Sequence, residues 1–143
     1  MTILNIRQSS KIILTSLVII ALSWTSTSAS PFEDYRLRGI VIEALVDTAD
    51  IRQDIINYYQ ENNKLPKSNA DIDRETPFVL ETGDEVVLNE EGFILQIKSQ
   101  EPRLLDKSIE FKLYQGEDRM EWDCSGGSLP YKLRTSICCN DSE

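Results

Sequence analysis

The sequence predicts an α+β domain: a long N-terminal amphipathic helix packed on an antiparallel sheet of about four strands, closed by a C-terminal disulfide loop. Three observations lead there. Apolar residues recur every three to four positions from Phe32 to Asn62, short alternating runs separated by turn residues fill 78–124, and all three cysteines fall in the last twenty residues. A chain of 143 residues has room for one such domain, expected over residues 30–143, behind a leader over 1–29.

The leader reads as an export signal. Arg7 and Lys11 precede the apolar run Ile12 to Trp24, the small residues Thr25 to Ser30 follow, and no acidic residue occurs before Glu33. Cleavage after Ala29 fits this order and leaves Ser30 first; an uncleaved segment would instead be an N-terminal anchor, although its apolar core is short for a membrane span. Removing residues 1–29 takes away two basic residues and no acid, so the exported part is more acidic than the whole chain at −9.

The helix is expected from Phe32 to Asn62, with Tyr35, Leu37, Ile40 or Val41, Ala44 or Leu45, Thr48, Ile51, Ile55 and Tyr58 or Tyr59 on its apolar face. Asn62 and Asn63 suit the left-handed residue at its end, and Pro66 prevents its continuation. Residues 64–77 carry no sustained period and read as a polar surface connector. Strand character then appears in Phe78 to Leu80, Glu85 to Leu88, Gly92 to Ser99, Ser108 to Tyr114 and Met120 to Cys124. Asn89 to Gly92 and Gly116 to Arg119 are hairpin turns. Alternation of Phe93, Leu95 and Ile97 with Ile94, Gln96 and Lys98 gives the sheet one apolar and one wet face.

Composition narrows the function. The acidity argues against direct binding of nucleic acid or an anionic membrane surface. There is no histidine, which removes the commonest general base and zinc ligand. The acidic pairs Asp71 with Asp73, Asp84 with Glu85, Glu90 with Glu91 and Glu117 with Asp118 all fall in predicted turns, where carboxylates are solvated. Asp71 and Asp73 open like a calcium loop without its later glycine and glutamate. No catalytic, cofactor or metal residues are therefore expected. Cys124 pairs with one member of Cys138 and Cys139, leaving one thiol over. Trp122, beside Cys124, reads as a core residue. Tyr131, Lys132 and Arg134 give the loop a local positive charge and form a candidate contact surface.

The ordered set of motifs resembles the type IV pilin family over residues 31–139. Phe32, Tyr35, Arg38, Val41 and Glu43-Ala44-Leu45 are similar to the start of the exposed half of a pilin helix. Tyr58-Tyr59, Asn62-Asn63 and Leu65-Pro66 resemble that helix's end, Gly92 to Ile97 a glycine-led strand, and Trp122-Asp123-Cys124 the pilin Trp-x-Cys; Lys132 six residues before Cys138 matches the closing segment. The resemblance implies a Cys124–Cys138 bridge with Cys139 spare. At the N-terminus the pattern departs: no glycine stands at Gln8 or Ser9, no glutamate at Ile13 or Leu14, and Pro31 is displaced by one position.

By this resemblance the chain is a non-enzymatic structural or interaction protein of a type IV pilus, serving as filament subunit, in adhesion or in DNA uptake. Its partners would be pilin or pilus-assembly proteins or further copies of itself, with membrane attachment only if the leader is retained. The alternative is a soluble periplasmic pilin head that contacts pilus components or a ligand without polymerising. Either reading places it in the bacterial periplasm or at the cell surface.

Overall fold

The computed structural model describes residues 30–135; the expected leader, Cys138 and Cys139 fall outside them. The described chain begins with two helical segments, α1 (Pro31–Asp47) and α2 (Ala49–Asn62), separated only by Thr48. Thr48 keeps right-handed dihedrals, but its N–H donates to the Leu45 carbonyl at 3.3 Å, three residues back, and its hydroxyl donates to the same carbonyl at 2.7 Å. This back-bonding tightens a turn without ending the helical run. The predicted helix is thus present in two segments that meet at a buried threonine.

Leu37, Val41, Ala44, Leu45, Thr48, Ile51 and Ile55 form its buried stripe, at the three- and four-residue intervals that keep one face inward. Tyr35, expected on that stripe, lies on the opposite face and is exposed. Gly39 also faces solvent, and a Cβ added there meets nothing within 4 Å. Gly39→Ala should therefore raise stability by about 0.5–1 kcal/mol, because alanine loses less backbone entropy in a helix. Thermal unfolding checks this, and a lowered midpoint would contradict it. At the other end Asn63 takes the left-handed conformation (φ 53°, ψ 30°), and its N–H donates to the Tyr59 carbonyl at 2.8 Å.

The connector after Asn63 contains a short 3-10 helix, Asn69–Ile72, that periodicity did not foretell. Ser68 and Asp71 close a capping box around it, with the Asp71 carboxylate accepting from the N–H groups of Lys67 (2.8 Å) and Ser68 (3.0 Å). These backbone donors hold the Asp71 carboxyl below its ordinary range. Asp71 thus serves the backbone. Arg74 then anchors the connector to α2 through Asp54 at 2.5 Å, and its guanidinium lies 5.0 Å from the Phe78 ring centre.

The sheet is a five-stranded antiparallel meander in chain order: β1 (Phe78–Val79), β2 (Glu85–Asn89), β3 (Gly92–Gln96), β4 (Ser108–Gln115) and β5 (Met120–Gly126). The expectation of about four strands is corrected to five, because the two-residue run Phe78–Val79 pairs with Val86 and Glu85. In the register Phe93 stands beside Phe111 and Leu95 beside Ile109. These residues, with Val86, face the helical stripe, and the core lies between the two layers. A bulge between Glu110 and Lys112 interrupts the β4–β5 pairing.

Asp84 departs from the solvated reading of the acidic turns. It is buried, and its carboxylate accepts from the Lys98 N–H at 2.7 Å and the Thr82 hydroxyl at 2.9 Å, tying the β1–β2 turn to the end of β3. Thr82 in turn donates its N–H to Asp47 at 3.0 Å, joining that turn to α1. The β2–β3 turn is closed by Asn89, whose side-chain oxygen accepts from the N–H groups of Glu91 (3.0 Å) and Gly92 (2.7 Å). Gly92 has φ 156°, and a Cβ there would lie 2.3 Å from the Phe111 carbonyl oxygen and 2.9 Å from Trp122. Only glycine admits this approach.

Candidate functional site

The candidate contact segment follows β5. Gly127 (φ 96°) turns the chain back onto the start of β4, and a Cβ there would meet the Ser108 carbonyl oxygen at 2.4 Å. Ser128 and Ser108 then pair: the Ser128 hydroxyl accepts from the Ser108 N–H at 2.9 Å, and the Leu129 N–H donates to the Ser108 carbonyl at 2.9 Å. Pro130 precedes a 3-10 turn, Tyr131–Leu133, seated by the buried side chains of Leu129 and Leu133.

The three residues expected on one contact surface diverge. Tyr131 projects outward and is 71% exposed. Lys132 lies along α1: its Nζ is 3.6 Å from the Asp34 carboxylate, and its carbonyl accepts from Arg38 Nε at 2.7 Å. Arg134 is 7% exposed, so its place on a contact surface is corrected. Its Nη1 donates to the carbonyls of Cys124 (2.8 Å), Gly126 (2.8 Å) and Ser125, its Nη2 to Gly127 (3.2 Å) and Leu129 (2.8 Å), and its Nε to Leu129 (3.0 Å). The guanidinium gathers carbonyls from the end of β5 and from the turn that follows it. Cys124, also buried, is disulfide-bonded, and its partner lies outside the described residues.

Sequence reasoning missed a second anchor at the same place. The β3–β4 connection, 97–107, returns to α1 by way of buried Leu104. There Glu101 takes both Nη groups of Arg36 at 2.6 and 2.8 Å, and Arg103 Nη2 reaches Asp34 at 2.6 Å. The signal was present as opposite charges, Glu101 and Arg103 against Arg36 and Asp34, but their pairing spans more than sixty residues. The Arg103 hydrogen bond holds the Asp34 carboxyl below its ordinary 3.8, with Lys132 assisting; the Arg36 hydrogen bond does the same for Glu101 below its ordinary 4.5.

A carboxyl whose pKa is lower in the folded than in the unfolded chain contributes stability above its unfolded value and loses that contribution as pH falls through the folded value. The urea midpoint should therefore decline as pH falls from 4.5 through 3.8 and lower, and high salt should reduce the difference because these pairs are solvent-exposed. A midpoint constant from pH 5 down to 3 would contradict this.

Trp122 packs in the sheet, edge-on to Phe93 at 5.5 Å and to Phe111 at 6.3 Å between ring centres. Among the described residues no group of three acidic or cysteine side chains is placed to hold a metal ion, and no helix is long and apolar enough to cross a membrane. Compared with known proteins, the chain matches no family model and no curated sequence.

Proposed function

We propose that the protein is a non-enzymatic, exported, pilin-like interaction protein associated with a type IV pilus, as a filament subunit or in adhesion or DNA uptake. The observation that carries this reading is architectural: a helical run over Pro31–Asn62 lies on an antiparallel meander whose last strand holds a disulfide-bonded cysteine, in the order of the motifs that resemble pilins. The lack of histidine supports a contact role over a catalytic one. Its disulfide in this reading joins Cys124 to Cys138, which non-reducing peptide mapping checks; a Cys124–Cys139 bridge would contradict it.

A second reading, a soluble periplasmic head that contacts pilus components or a ligand without polymerising, is favoured by the small polar run Thr25 to Ser30. The two are separated by the N-terminal sequence and intact mass of the protein from its own cells, together with fractionation. A subunit retaining the apolar segment and travelling with sheared surface filaments supports the first. A chain beginning at Ser30 in the periplasmic extract supports the second and overturns the first. In both readings Tyr131, with Lys132 beside it, is a contact on the outer face of the closing segment. Tyr131→Ala should weaken capture of pilus proteins by about tenfold, as expected for an exposed aromatic anchor, and capture as strong as the wild type's would contradict this.

A further inference from the structure

The two faces of α1 are both apolar. Opposite the buried stripe stand Phe32 (76% exposed), Tyr35 (77%), Gly39, Ile42 (43%) and Val46 (63%). Their spacing of three, four, three and four residues makes a straight ridge about 21 Å long on a helix rising 1.5 Å per residue. Along the same outer line α2 continues with Asp50, Gln53 and Asn57, all exposed and polar. The ridge therefore belongs to α1 alone. Water contact with four large apolar side chains in one line is unfavourable, and a 3-4 spacing is what a second helix requires.

We infer that this ridge is a self-association surface, on which α1 of a second copy of the chain lies parallel and in register. Charge selects the occupant and its direction. Arg38 borders the ridge on one side and Glu43 on the other, and among the described residues neither takes part in an ion pair within the chain. In a parallel two-fold pair, residues on opposite borders five positions apart meet across the seam, so Arg38 of each copy faces Glu43 of the other. An antiparallel pair loses this match. Gly39, with open space where a Cβ would stand, lets the two backbones approach at the centre. Covering both ridges removes on the order of 1,000 Å² from water, the lower end of a specific interface, so association over roughly 1–100 µM is expected.

The inference deepens the contact-protein reading by naming a partner for it. Sedimentation velocity of the protein as its cells export it, over that concentration range, is the test. The wild type should pass from monomer to dimer. Ile42→Lys or Val46→Lys, both at exposed positions, should raise the midpoint concentration at least tenfold while circular dichroism melts stay unchanged. Glu43→Arg should weaken association, and adding Arg38→Glu should restore it. A wild type that stays monomeric, or association indifferent to Ile42→Lys and Val46→Lys, overturns the surface. A double exchange that folds and fails to restore association overturns the parallel arrangement. Fractionation separates this result from the pilus reading: a monomer travelling with surface filaments sinks the pairing alone, and a dimer confined to the periplasmic extract sinks only the filament role.

Discussion

Replacing Arg134 by alanine is expected to lower the stability of the folded chain by about 3–5 kcal/mol, measured as a fall in the urea midpoint. The guanidinium donates to the carbonyls of Cys124, Ser125, Gly126, Gly127 and Leu129, and its removal takes its donors away from all five of these converging oxygens at the end of β5 and the turn after it. Each such bond to a charged donor contributes about 1.5–3 kcal/mol, but the outer carbonyls regain water when the side chain is gone, so the sum is not additive. Arg134→Lys should recover less than half of the loss. An ammonium keeps the charge, yet its three donors on one atom do not span the acceptors that the planar fork reaches. An alanine variant with the wild-type midpoint would mean that water serves those carbonyls equally well.

Phe93→Ala is expected to cost a further about 3–5 kcal/mol in its own right, through lost transfer energy and the cavity left behind. Phe93 is fully buried, stacks on Phe111 with ring centres 4.3 Å apart at 10°, and meets Trp122 edge-on. It sits at the middle of the sheet, where β3 pairs with both β2 and β4, so neighbouring backbone has little freedom to collapse into the space. Phe93→Leu should cost less, because much of the volume is kept while the ring contacts are lost. Tryptophan fluorescence in urea follows both variants, and equal losses for leucine and alanine would refute the packing account.

Much of the architecture was legible because it rests on local repetition. The alternation at Phe93, Leu95 and Ile97 marked the inward face of β3, and Asn63 and Asn89 stood where a left-handed residue and a side-chain-closed turn were needed. The helix was equally clear, but its phase was not. With Phe32, Tyr35, Ile42 and Val46 on one face and Leu37, Val41, Ala44 and Leu45 on the other, a three-to-four period fits either stripe, and Tyr35 was assigned to the wrong one. The strand character read at Phe78 to Leu80 is present as the two-residue β1, so all five runs are strands although the sheet was expected to hold about four; so short a strand is fixed by its pairing with Val86 and Glu85.

The candidate site was read less well than the fold. Tyr131 is exposed, as a contact residue must be, whereas Arg134 faces inward and Asp84, expected in water, is buried. A charged side chain is tolerated inside only when enough opposite dipoles converge on it, and those dipoles come from wherever the chain happens to return. For Asp84 the donors are the Lys98 N–H at the end of β3 and the Thr82 hydroxyl, and for Arg134 the acceptors are carbonyls of β5 and the turn after it. The sequence by itself determined most of the elements and their order: the helical run, the alternating strands and the turns between them. Only the tertiary structure decided which apolar stripe of α1 is covered and which charges are enclosed, because periodicity is a property of neighbours in the chain, while burial depends on partners distant in it.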